Sequence, residues 1–145
     1  MTMIFEFMRD DHRACDHLYT EAENALADKK TDEAKTLFES FYQATNHHFD
    51  MEERELFLTF EQRTGMMGGP TQMMRYEHQQ LRSLLESMRL ALGENRNDDF
   101  FGIGESMMIM LQQHNMKEEQ MLYPMIDRAL GDDAESMIQT LKDMA

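Results

Sequence analysis

Apolar residues recur at alternating steps of three and four along almost the whole chain, the spacing of one face of an α-helix. Phe5, Met8, His12, Cys15, Tyr19, Ala22 and Leu26 form the first stripe and predict a helix over about residues 3–28. Ala34, Leu37, Phe41, Ala44, His48, Glu52 and Glu55 or Leu56 form the second, with Thr31 as its expected N-cap. Arg63 to Pro70, with three Gly and a Pro, reads as the clearest loop, and Pro70 suits the first turn of a third helix. That helix carries Met74, His78, Leu81, Leu85, Met88 and Leu92. A fourth, capped by Asp98 or Asp99, carries Ile103, Met107, Leu111, His114, Glu118, Met121 or Leu122, and Met125. Gly102 and Gly104 weaken its first turn, and Gly131 ends it. A last amphipathic piece places Met137, Ile138, Leu141 and Met144 on one side. With only 7 Gly and 2 Pro, the chain has little turn chemistry for strands. The expectation is an all-α protein, an antiparallel up-down-up-down four-helix bundle with a short C-terminal fifth helix. It reads as a single domain over residues 1–145, with the bundle over about 3–130 and a short helix over about 133–144 that caps the bundle or, as the alternative, forms a dimer contact.

Each stripe is apolar except at one level, where His or Glu intrudes. The strings HFDMEEREL, from His48, and HNMKEEQML, from His114, are 66 residues apart and nearly alike. The same offset maps His12 onto His78, Glu52 onto Glu118, Glu53 onto Glu119, Leu56 onto Leu122 and Asp11 onto Glu77. Both His12 to His48 and His78 to His114 span 36 residues, so two helical hairpins of equal reach would carry their histidines to a common level.

Residues i and i+4 share a helix face, so His48 with Glu52, and His114 with Glu118, point the same way. His12 and His78 lie on the inward stripes of the other two helices. Four imidazoles and two carboxylates at one level of an apolar core need a shared compensator, because an unpaired buried carboxylate costs several kcal/mol. A metal pair bound by His12, His48, Glu52, His78, His114 and Glu118 supplies it. No thiolate cluster exists for a Cys-rich zinc site or an iron–sulfur cluster, and mixed His and Glu ligands in a four-helix bundle point to di-iron or di-manganese.

The segments DDH, HFDMEE, YEH and HNMKEE resemble the hemerythrin-like, or HHE cation-binding, family over about residues 4–128. The resemblance implies a non-haem site of two Fe ions, oxo- or hydroxo-bridged, with Mn or Zn as substitutes. His12, His48, His78 and His114 would be terminal ligands, and Glu52 and Glu118 bridging carboxylates. The oxygen-carrier members place a second histidine one turn from the third-helix one; here those positions are Met74 and Arg82. They also carry Asp at the fifth position after the last His, where this chain has Glu119 following Glu118. Of about 12 positions on two octahedral metals, four His, two bridging Glu and a bridging oxygen fill all but about two. That suits ligand exchange, NO or peroxide chemistry, or redox cycling, and the resemblance implies a protein that senses or handles O2, NO or peroxide, or holds iron in a stress response. The alternatives are reversible O2 binding, an oxidoreductase turning over peroxide or NO, and an interaction module stapled by its metal. No catalytic residue is assigned.

Other residues are read as structural. His47 and His17 are expected to face away from the site, Tyr19 and Cys15 to pack in the core, and most of the 17 Met to provide pliable packing. Asp11, Glu53, Glu77 and Glu119 are candidate acceptors for the imidazoles, competing with a solvent-facing role. The segments GMMGGP and TQMMR flank a loop and could line an entrance. A net charge of −14 argues against nucleic acid or an anionic membrane as partner. One cysteine excludes an internal disulfide, no basic leader precedes the first apolar run, and no run approaches the roughly 20 residues of a membrane span. The expected setting is cytoplasmic, as a monomer or homodimer with a small diatomic or peroxide ligand.

Overall fold

The computed structural model describes residues 3–144. Helix α1 spans Ile4–Ala27, and α2, Thr31–Met51, continues through a π-turn, Glu52–Leu56, into α3, Phe57–Thr64. Helix α4 spans Pro70–Gly93, and α5, Asn97–Lys117, continues through a second π-turn, Glu118–Leu122, into α6, Tyr123–Leu130. A short 3-10 turn then leads to α7, Ala134–Lys142. The described residues contain no strand, and four long rods pack as an antiparallel bundle, α1 chiefly against α2 and α4 chiefly against α5.

The 66-residue repeat extends to the corners. Lys29 (φ 63°) and Asn95 (φ 57°) take the left-handed conformation at equivalent places. Lys30 N–H donates to Ala25 O at 2.9 Å and Arg96 N–H to Ala91 O at 2.8 Å, the long closing bond of a Schellman turn. These tight corners displace the expected N-caps. Thr31 is already helical and Asp98 and Asp99 lie in the first turn, while the backbone carbonyls of Lys30 and Arg96 start the helical ladders. The acidic residues instead oppose the positive end of the helix dipole. Gly102 and Gly104 do not delay α5. A Cβ at Gly104 would stand 2.3 Å from the Tyr19 hydroxyl, so close packing explains that glycine.

The start of α1 is tied down from 123 residues away. Ile4 N–H and Phe5 N–H donate to the two carboxylate oxygens of Asp127 at 2.7 and 3.1 Å. Its counterpart, Glu61, accepts from Thr71 Oγ1 at 2.6 Å and from both terminal nitrogens of Arg75 at 3.2 Å. Replacing Asp127 with Ala leaves two helix-end donors without their acceptor. We expect a loss of about 1–2 kcal/mol in denaturant unfolding; an unchanged midpoint would contradict this role.

The π-turns alter which side chains face inward. Each inserts about one residue into the helical repeat, so the buried set after Glu118 is Leu122, Tyr123, Ile126 and Leu130. Met121, placed on the core stripe by a regular α-helical count, is 48% exposed, and Met125 is only partly buried. The same shift after Glu52 buries Leu56, Phe57 and Phe60.

Two apolar clusters sandwich the polar level. One contains Cys15, Tyr19, Phe38, Phe41, Phe49, Leu81, Leu85, Met107 and Leu111. The other contains Ile4, Met8, Leu56, Phe57, Leu122, Ile126 and, from α7, Ala134, Ile138 and Leu141. Helix α7 therefore closes that end of the bundle, as its amphipathic pattern predicts. Among the described residues, no helix is long and apolar enough to cross a membrane.

Candidate metal centre

His12 on α1, His48 on α2, His78 on α4 and His114 on α5 all meet Glu52 and Glu118 at the interface between the two apolar clusters. All six side chains are buried, and both glutamates are fully so. Their donor atoms form two groups, His12, His48, Glu52 and Glu118 in one, and Glu52, His78, His114 and Glu118 in the other; within each the atoms lie within 4.8 Å of one another. The two glutamates are common to both. His12 Nε2 is 3.2 Å from Glu118 Oε1, His78 Nε2 is 3.1 Å from Glu52 Oε1, and His114 Nε2 is 3.3 Å from Glu118 Oε2.

Each imidazole is held on its other side by a carboxylate. The Nδ1 of His48 bonds Asp11 at 2.7 Å and that of His114 bonds Glu77 at 2.8 Å. His78 Nδ1 bonds Glu53 at 2.7 Å and His12 Nδ1 bonds Glu119 at 2.8 Å. The first two contacts lie within a hairpin and the last two cross between hairpins. All four candidate acceptors are therefore in place, each fixing an imidazole with N–H outward and Nε2 inward. Glu53 also accepts from Arg82 at 3.1 Å, and Glu77 from Lys117 at 2.7 Å. Burial opposes ionisation of Asp11, Glu53 and Glu77, but these partners hold all three carboxyls below their usual range.

This orientation is the test of whether a cation fits. With each Nδ1 donating, the inward Nε2 atoms of neutral imidazoles are acceptors, and they face carboxylate oxygens that are acceptors too. Glu52 Oε1 and Glu118 Oε2 are buried without a hydrogen-bond partner, and His78 Nε2 stands 3.2 Å from His114 Nε2. An all-acceptor cage is stable only around positive charge, which metal ions or protons can provide. The donor set fits metal ions.

Without metal, protons do this work. Burial pulls His12 and His114 down, but Glu118 chiefly, with Glu52 and the outer carboxylates, raises both to about 9. Burial, then repulsion from Glu118, pushes the Glu52 carboxyl up. A histidine raised from 6.5 to about 9 contributes stability that is complete below pH 6.5 and lost as pH rises through 9. Thermal melts of metal-free protein should therefore fall between pH 6.5 and 9, whereas the metal-bound form should change little there, its Nε2 protons having been released on binding. A flat metal-free profile would refute this linkage.

One residue was absent from the sequence-derived set. Tyr123 is fully buried, and its hydroxyl donates to Glu52 Oε2 at 2.7 Å while lying 3.1 Å from Glu118 Oε1 and 3.2 Å from Nε2 of both His12 and His48. It follows Glu118 by five residues. In an α-helix that step turns about 140° away; the π-turn brings it back to the same side. Its counterpart at the 66-residue offset is Phe57, whose ring is 5.8 Å from that of His78. An aromatic five residues after each HxxxE was the signal available in the sequence. Phe49 stacks on His78 at 4.1 Å; its counterpart is Asn115. Asn115 and Thr45 border a small, mainly apolar niche beside His12 and His48, shared with Cys15, Phe49 and Leu111.

The remaining expectations sort cleanly. His17 is exposed and pairs with Glu21 at 3.1 Å, and His47 is partly buried outside the donor groups. Tyr19 and Cys15 are core residues, and burial pushes the Cys15 thiol up to about 12, away from redox reactivity. Met66, Met67 and Met73 are exposed around the loop, while Met74 is buried.

Residues 3–126 match the family model for the hemerythrin HHE cation binding domain. No curated protein and no solved structure matches the chain significantly. The family match covers most of the chain, which belongs to the hemerythrin HHE cation-binding family and is a metal-binding protein.

Proposed function

From this family membership we propose that the chain holds two iron ions and senses or handles O2, NO or peroxide, or keeps iron available under stress. His12 and His48 would hold one ion and His78 and His114 the other, with Glu52 and Glu118 available to both. The carrying observation is that the two donor groups share both glutamates, the arrangement a bridged pair requires. Iron is favoured because the donors mix imidazole and carboxylate, with no thiolate among them. When bound, the pair would supply reversible binding of a small ligand and one- or two-electron exchange with it.

The chain's own part is to bind, orient and exclude water. The outer carboxylates aim the four Nε2 atoms, and raise their basicity toward a cation. Phe49 and Phe57 cover the His78 ring at 4.1 and 5.8 Å and help keep solvent from it, which strengthens the charge interactions there. The acidic surface and buried lone thiol accord with a cytoplasmic monomer or homodimer that engages neither nucleic acid nor membrane.

Metal analysis of protein produced with iron should find two irons per chain, with an absorption spectrum that responds to azide, NO or O2. One zinc, or no metal, would sink the reading. Reversal of the O2 response under vacuum marks a carrier, sustained peroxide or NO consumption marks an oxidoreductase, and a single stoichiometric event marks a sensor.

A further inference from the structure

We propose that Tyr123 is a seventh protein ligand, bound to the metal held by His12 and His48, and that it confines any exogenous ligand to the metal held by His78 and His114. The inference rests on the two-iron reading above and adds a residue and an asymmetry to it.

The geometry is specific to one half of the site. Neighbouring donors on a metal with bonds of about 2.1 Å stand roughly 3 Å apart. The Tyr123 oxygen lies 2.7 to 3.2 Å from one donor atom of each of the four residues in the His12–His48 group. A phenol buried for packing alone needs a single hydrogen-bond partner; this one stands at coordination spacing from four. No such contact reaches His78 or His114, because the equivalent position is Phe57, whose ring has no donor.

Surrounding charge divides the site in the same sense. Behind His78 and His114, the outer carboxylates Glu53 and Glu77 are each paired with a cation, Arg82 and Lys117. Behind His12 and His48, Glu119 and Asp11 have no Lys or Arg within salt-bridge distance among the described residues, and Arg82's counterpart is Asp16. The His12–His48 half thus concentrates anionic character, which favours the more highly charged ferric ion, and it is that ion's charge that would stabilise a phenolate against its anionic neighbours. Ligation replaces the O–H bond with an O–metal bond, the proton leaving to solvent with those displaced from the imidazoles. Of the roughly two positions left on the pair by four His, two Glu and a bridging oxygen, Tyr123 takes one. The other lies on the His78–His114 metal.

Resonance Raman and visible absorption of the ferric, two-iron protein test this directly. Wild type should show a phenolate-to-iron charge-transfer band with enhanced tyrosine ring modes, and should bind one azide per pair. Tyr123→Phe should lose the band and ring modes entirely and bind up to two azides. Replacing the other three tyrosines together (Tyr19→Phe, Tyr42→Phe, Tyr76→Phe) should leave the signature intact, which keeps the assignment open to refutation even if Tyr123→Phe fails to fold. Two irons with no phenolate modes in wild type would overturn the inference while leaving the two-iron reading standing. Loss of the signature in the triple variant, or its survival in Tyr123→Phe, would also overturn it. Fewer than two irons in wild type would overturn the two-iron reading itself.

Discussion

Glu118→Ala is expected to yield a folded bundle that retains neither metal ion. Glu118 belongs to both donor groups, so its removal takes an oxygen from each centre at once. It is also the main anion stabilising the protonated forms of both His12 and His114, which would be left with one fewer anion to oppose their burial. Removing a carboxylate that merely orients a ligand costs about 10–100-fold in metal affinity; loss of a bridging one should exceed that on both ions. On the two-ion reading proposed above, metal content should therefore drop to near zero after a brief chelator wash. The metal-free bundle should survive, because the two apolar clusters on either side of the polar level are untouched. Far-UV circular dichroism of the variant separates metal loss from unfolding. Retention of both ions would remove Glu118 from the bridging role.

Glu53→Gln should weaken one half of the site selectively. Glu53 fixes the His78 tautomer through Nδ1 and is itself held by Arg82, which also bonds Asp50 and Asn46 on α2. A glutamine keeps the shape but removes the charge that makes Nε2 a strong donor. On the proposed two-iron reading, the expected result is about a 10–100-fold loss of affinity for an ion at His78 and His114, read as faster removal of one of the two by a competing chelator. Glu119→Gln should produce the complementary loss at His12. Equal loss of both ions in each variant, or no loss in either, would refute the independence of the two halves.

That these six side chains meet at one buried level was legible in the sequence. The six inward donors lie on regular α-helical stripes up to His48–Glu52 and His114–Glu118, and within that stretch periodicity places a side chain reliably. The equal 36-residue spans set the two hairpins level because both turn through equivalent three-residue corners. What periodicity misplaced begins at the glutamates. A count at 3.6 residues per turn put Met121 on the buried stripe and left Tyr123 off it, and the π-turn reverses both assignments. The end-to-end tie between Asp127 and the start of α1 was equally hidden, since no local pattern relates residues 123 positions apart.

The sequence by itself determined an all-α bundle, the common level of four histidines and two glutamates, and the twofold repetition of that half-site, because helix periodicity and spacing are local properties of the chain. Only the tertiary structure decided that every Nδ1 meets a carboxylate, two of them from the opposite hairpin, and that a tyrosine on one side faces a phenylalanine on the other. Those contacts depend on how the rods rotate and pack. A π-turn changes that rotation by a fraction of a turn, enough to exchange a solvent-facing side chain for one among the buried histidines and glutamates.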